Sequence, residues 1–148
     1  MTWLYNERPF TGVEASQKID EGYIGFVYEI TDCSNNKKYI GKKLLVGKRK
    51  LPPLKGQKRK RTKIVESDWQ SYYGSSETVK SLVEERKTDF TRRIIHLCKT
   101  KGELSYLEAK EQFSREVLLT DDYYNEFICC RIKGSHLKSL KEKYKLIN

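Results

Sequence analysis

The stretch that most constrains the fold is Tyr23-Ile24-Gly25-Phe26-Val27-Tyr28-Glu29-Ile30-Thr31, dense in β-branched and aromatic residues. It is followed by the turn formers Asp32-Cys33-Ser34-Asn35-Asn36 and then by Lys37-Lys38-Tyr39-Ile40-Gly41-Lys42. Ringed and branched side chains suit a pleated, half-buried surface, and Asp, Ser and Asn bond to nearby backbone and favour turns. The pattern predicts an antiparallel β-hairpin. Its register carries a condition: opposite residues share a face, so Tyr28 and Tyr39 meet only if Tyr28 pairs with Tyr39 or with a position two away. A four-residue loop over Asp32 to Asn35 satisfies this. A loop extended through Asn36 sets Tyr28 against Ile40 and separates the tyrosines.

Around the hairpin the signals are local. Pro9 and Gly12 interrupt the first 21 residues, leaving room for a short helix over about 13–20. Adjacent Pro52 and Pro53, Gly56 and a run of charge predict a solvated loop from Leu51 to Lys63. Ser75 or Ser76 caps a helix running to about Lys87, with Val79, Leu82 and Val83 on its buried face. Phe90 to Cys98 reads as a third strand, and Gly102 ends the turn after it. Leu104 to about Leu118 reads as a helix with Leu107 and Phe113 in the core, and Ser135 caps a lysine-rich helix through Leu146. The expected class is α/β, of the α+β kind: a small three-stranded, mainly antiparallel sheet flanked by helices. The chain of 148 residues suits a single domain, with a basic insertion at about 50–66.

Thirty Lys and Arg stand against twenty Asp and Glu, a net charge of +10. From Lys42 to Lys63 there are eleven basic residues and no acidic one, so the remainder holds 19 against 20 and is close to neutral. A basic excess confined to one stretch points to a polyanion. Lys42, Lys43, Lys48, Lys50, Lys55, Lys58, Arg59, Lys60, Arg61 and Lys63 are the candidate nucleic-acid contacts. Tyr72 and Tyr73 are candidates to stack on bases, or else to anchor the loop's return to the core. No apolar run approaches the roughly 18–20 residues that cross a bilayer, and Met1 to Arg8 lacks the pattern of an export signal. The expected location is the cytoplasm, that of a host cell if a phage encodes the chain. Cys33, Cys98, Cys129 and Cys130 form no C-x-x-C pair, which fits reduced thiols better than disulfides or zinc.

Val27-Tyr28 on one strand and Tyr39-Ile40-Gly41 on the next resemble the signature of the GIY-YIG nucleases, with Phe26 where the first glycine usually stands. The resemblance covers about residues 22–130 and is strongest to free-standing, phage-type endonucleases akin to homing endonucleases. It implies an arginine about eight residues after the second glycine, where Arg49 stands, and a metal-binding glutamate on a later helix, where Glu108 fits. An asparagine often follows that glutamate; Asn125 lies 17 residues on and is a further candidate nucleic-acid contact. The histidine often found four residues after the arginine is replaced by Pro53, leaving Tyr72 or Tyr73 as substitutes.

The implied activity is Mg²⁺- or Mn²⁺-dependent hydrolysis of phosphodiesters in DNA, expected to be double-stranded. Each position then has a chemical task. Glu108 offers oxygen to a hard cation, and Arg49 a planar charged fork to the phosphate oxygens. Tyr28 or Tyr39 orients or deprotonates the attacking water, with Lys38, Lys42, Arg49 and the metal expected to lower a phenol pKa ordinarily near 10. Glu108 also has a structural reading, because Ser105-x-x-Glu108 has the spacing of a capping box; Glu103 and Glu111 are further carboxylates on the same stretch. Two other functions fit the residues: an inactive nucleic-acid-binding protein on the same fold, or an interaction protein using Asp121 to Tyr124. A chain with one active site breaks both strands only as a homodimer or in two visits.

Overall fold

The computed structural model describes residues 2–86 and 89–148. Strands β3 (Gly25–Asp32) and β4 (Lys37–Leu44) form the expected hairpin. Its four-residue turn lies at 33–36, one residue later than Asp32 to Asn35, because Asp32 pairs with Lys37. The Asp32 carboxylate explains the choice. It accepts from the Ser34 backbone N–H at 3.0 Å and the Ser34 hydroxyl at 2.7 Å, while Asn36 takes a left-handed φ of 62°. Tyr28 therefore faces Gly41, two positions from Tyr39, and the two tyrosines share a face.

The sheet has five strands in the order β2-β1-β7-β3-β4, not three. β7 (Phe90–Cys98) is the expected third strand; β1 (Trp3–Tyr5) and β2 (Arg8–Pro9) are additions. β1 runs parallel to β7, and the other pairs are antiparallel. Asn6 and Glu7 both have positive φ, as the tight turn between β1 and β2 requires. Pro9, read as a break, ends the outermost strand, a position where a missing N–H is tolerated.

Each face of the sheet has its own core. On one, Trp3, Phe10, Phe26, Tyr28, Ile30 and Trp69 pack with α2 (Glu77–Glu85), which Ser76 caps. The position Lys87, where that helix was expected to end, lies outside the described residues. α1 (Gly12–Asp20) adds Ala15 to this side. On the other face Val27, Ile40 and Cys98 meet Leu104 of α3 (Lys101–Ser114). Phe26 is fully buried, its ring 5.0 Å from that of Trp3, so the residue that departs from the glycine of the signature is a core aromatic. Truncating such a ring costs about 3–5 kcal/mol.

Two expectations about α3 fail. Its N-cap is Thr100, whose hydroxyl accepts from the Glu103 N–H at 3.1 Å. Gly102 and Ser105 thus lie inside the helix, Glu108 is mid-helix, and the capping-box reading of Glu108 is excluded. The helix also stops at Ser114, leaving Phe113 62% exposed instead of in the core.

The basic stretch is not all loop. β5 (Val46–Leu51) and β6 (Arg61–Glu66) pair as a separate two-stranded ribbon, with the prolines and Gly56 at its tip. The β-branched and apolar Val46, Leu51, Ile64 and Val65 supply the strand character that the charge masks. The C-terminal helix α4 (Lys138–Ile147) follows a 3-10 turn at Gly134–Leu137, starting later than a Ser135 cap implies. Among the described residues no helix is long and apolar enough to cross a membrane.

Candidate active site

β4 is an edge strand, and unpaired strand edges invite association with other chains. Here the edge is covered step by step. The Lys38 N–H donates to the Asp122 carbonyl at 2.9 Å, and the Lys38 carbonyl accepts from the Tyr124 N–H at 2.7 Å. At Ile40 side chains take over: Asn125 Oδ1 accepts from the Ile40 N–H at 3.0 Å, while Asn125 Nδ2 at 2.8 Å and Gln112 Nε2 at 3.0 Å donate to its carbonyl. Asn125, expected as a nucleic-acid contact, is 8% exposed and has both ends of its amide engaged. It holds the C-terminal segment against β4.

Beyond Ile40 the Asp122–Asn125 segment leaves the edge and Glu108 meets the Lys42 N–H instead, and the residue between them is Gly41. A Cβ there would stand 2.6 Å from Tyr28 Cζ and 3.1 Å from Tyr39 Cε1, so any side chain would displace the phenols. The glycine of Tyr39-Ile40-Gly41 thus has a steric cause. Beside it lies a cavity of about 270 Å³ whose lining includes Tyr39, Ser75, Ser76, Glu108, Gln112 and Asn125. Tyr39 comes from the aromatic face of the sheet and Glu108 from the α3 face. They meet around the edge strand.

The two tyrosines have different situations. Tyr28 is fully buried, with its ring 5.4 Å from Trp3 and 5.9 Å from Tyr72. Tyr39 is half-buried, and its hydroxyl reaches the cavity 3.2 Å from Ser75 Oγ. Burial pushes both phenols above their ordinary pKa, Tyr28 strongly. The lysines do not offset this in the protein alone, and the alternation of the strand gives the reason. Lys38 and Lys42 lie on the α3 face, opposite Tyr39. Lys43 does share Tyr39's face, but its ammonium is 2.5 Å from Asp68 Oδ1 and 4.2 Å from the centre of the Tyr72 ring.

The Glu108 side chain is 14% exposed. Burial raises its pKa, opposed by the Lys42 ammonium and the Lys42 backbone N–H. Lys42 Nζ lies 3.8 Å from Glu108 Oε1 and donates to Ser105 Oγ at 2.8 Å. Arg49 is elsewhere: it is exposed on β5, directly opposite Lys63. No hydrogen bond, ion pair or ring contact among the described residues joins it to Tyr28, Tyr39 or Glu108. The cation that the fold brings to Glu108 is Lys42.

Tyr72 and Tyr73 anchor the loop that returns from the ribbon. Tyr72 packs on Tyr28, and Tyr73 lies under the Arg92 guanidinium at 4.1 Å. Lys48, Arg49, Lys50, Lys55, Lys58, Arg59, Lys60, Arg61 and Lys63 are all exposed on the ribbon or its tip. None of these nine forms an ion pair among the described residues.

Gln112 and Ser75 escaped the reading of the sequence. Gln112 was within reach of it, because it follows Glu108 by four residues and so shares its helix face. Ser75 was read only as a cap; its place beside Tyr39 depends on Gly74, whose φ of 93° turns the loop over both tyrosines.

No match was found among curated proteins or among solved structures. One family profile does match, over residues 3–128: SegE_GIY-YIG, described as "Putative endonuclease segE, GIY-YIG domain". The matched span runs from β1 through the Asn125 segment and takes in the hairpin, the ribbon and Glu108, leaving out α4. This chain belongs to the SegE-type GIY-YIG family of endonuclease domains.

Proposed function

We propose that the chain cuts DNA by hydrolysing phosphodiester bonds in the pocket between Tyr39 and Glu108, with Mg²⁺ or Mn²⁺ as cofactor. The observation that carries this reading is the meeting of a phenol and a carboxylate from opposite faces of the sheet in one cavity at Gly41. The pocket's donors suit a hard cation: the Glu108 carboxylate, a Gln112 carbonyl oxygen without a hydrogen-bond partner, and the hydroxyls of Tyr39 and Ser75. The described residues contain no group of three or more His, Cys, Asp and Glu placed to hold a metal. A cation at Glu108 would therefore draw much of its shell from water and substrate, as Mg²⁺ usually does. Bound there, it supplies Lewis-acid stabilisation of the phosphate oxygens.

The protein's own groups have separable tasks. Tyr39, neutral at physiological pH, holds the attacking water through its hydroxyl, which Ser75 orients. Tyr28 fixes the position of Tyr39 from the core. Lys42 offsets negative charge developing on the non-bridging oxygens. The ribbon grips flanking phosphates, Arg49 among its contacts. A two-stranded ribbon is of the width that the major groove of DNA admits, which favours a duplex substrate. Supercoiled plasmid incubated with purified protein, with Mg²⁺ and with EDTA, tests the proposal: relaxed or linear product in Mg²⁺ alone supports it, and intact plasmid in both sinks it.

The competing reading is a nucleic-acid-binding protein that has lost activity. One observation favours it: Lys42 already stands beside Glu108, where a cation is needed. Salt-sensitive binding to DNA without cleavage in any divalent cation would establish that reading instead.

A further inference from the structure

Gln112 is 5% exposed, and its Oε1 is buried without a hydrogen-bond partner among the described residues, which is costly for a polar atom. The orientation of the amide is decided by its neighbour. The Ile40 carbonyl can only accept, so the amide nitrogen must face it, as it does at 3.0 Å, leaving the oxygen for something else. Gln112 also lines the cavity that holds Glu108 and follows Glu108 by one helical turn. An amide oxygen is a hard, neutral donor of the kind that divalent cations of this class accept. We infer that Gln112 is the second protein oxygen donor of the divalent-cation site, binding through Oε1 beside the Glu108 carboxylate. This rests on the reading that Glu108 holds such a cation.

The same residue thereby ties the site to the sheet. Its nitrogen is fixed to the edge strand at Ile40, its oxygen serves the cation, and the distance between β4 and α3 sets where the cation lies relative to Tyr39. A neutral amide adds a ligand without the repulsion that a second buried carboxylate would bring to Glu108.

The test is Mn²⁺ binding to the full chain, followed by electron paramagnetic resonance, for the unaltered protein and for E108Q, Q112M and Q112E. Both Gln112 variants lose the bond to the Ile40 carbonyl, but only Q112M loses the oxygen donor. The expected result is Mn²⁺ affinity at least about tenfold weaker in Q112M, with Q112E at least as tight as the unaltered protein. Equal weakening in Q112M and Q112E shows a merely structural role and overturns the inference. Unchanged affinity in Q112M beside weak binding in E108Q overturns it too, while sparing the Glu108 reading. Unchanged affinity in E108Q removes that reading itself. A second measurement needs no variant: Fe²⁺ with ascorbate and peroxide should cut the unaltered backbone within 108–112, and the absence of cuts there contradicts the assignment.

Discussion

The pocket at Gly41 and the basic ribbon are neighbours in sequence and opposites in construction. Around the pocket nearly every group is held: Tyr28 by Trp3 and Tyr72, Tyr39 by Ser75, Asn125 by Ile40, and Lys43 by Asp68. Burial and hydrogen bonds fix those positions before any substrate arrives, which is how chemistry comes to be pre-organised. Among the described residues of the ribbon, Val46 at its base is the one that packs against the core. Arg49 stands opposite Lys63 across its strands, a pairing of like charges that repels, and isolated two-stranded hairpins are marginal in water. Such an element gains most when a polyanion neutralises it. Under the proposed function, placement would serve bond breaking in the first region and charge would serve capture in the second.

The largest test of that division is at Glu108. Glu108→Gln is expected to lower the cleavage rate by at least about 100-fold while DNA affinity, read by filter binding, stays within about twofold. Loss of binding in proportion to cleavage would merge the two regions. Next comes the ribbon. Replacing Arg59, Lys60, Arg61 and Lys63 with serine should weaken DNA binding about tenfold or more and reduce the salt slope of binding by about one per lost phosphate contact. The melting temperature should hardly move, since these side chains contact nothing that holds the core.

Three smaller effects examine how the pocket is held. Gly41→Ala should cost about 1–3 kcal/mol by pushing on the Tyr28 phenol, and lower cleavage with it, as denaturant melts and plasmid assays would show. At Asp32 burial alone would raise the carboxyl pKa, but bonds from Ser34, Tyr124 and Arg86 outweigh it and bring it down to about 2. A lowered folded-state pKa gives stability that is present above the unfolded value near 4 and lost as pH falls through 2. Acid titration should therefore reveal about 2 kcal/mol that Asp32→Asn lacks. Tyr28 has the opposite sign, its pKa being raised by burial. Its contribution is complete below pH about 10 and declines above it, and Tyr28→Phe should flatten that alkaline loss.

Much of this was legible in the sequence where local chemistry acts alone. The hairpin, the Ser76 cap and β7 follow from turn formers, a hydroxyl before a helix, and an alternating apolar run. β1 was not legible, because three residues are too few to show a period and its strand character comes from pairing with β7. Leu104 looked like the start of α3 because apolar spacing begins there, whereas the Thr100 hydroxyl sets the start. The resemblance pointed to Glu108, which lines the cavity, and to Arg49, which stands exposed on β5, while Lys42 reaches the Glu108 carboxylate through strand alternation. Gln112 carries no mark in sequence beyond its spacing. Its significance appears only once Ile40 claims one end of the amide and leaves the other unmet.

The central claim is that the pocket cuts and the ribbon captures. Single-turnover cleavage with protein saturating over labelled duplex tests it most directly, run in Mg²⁺ on Glu108→Gln and on the ribbon-neutralised variant. The first should cleave at least about 100-fold more slowly, and the second with a rate constant within about threefold of the unaltered protein, since saturation offsets weakened capture. Cleavage near the unaltered rate in Glu108→Gln, or failure of the ribbon variant to cut at saturation, contradicts that division.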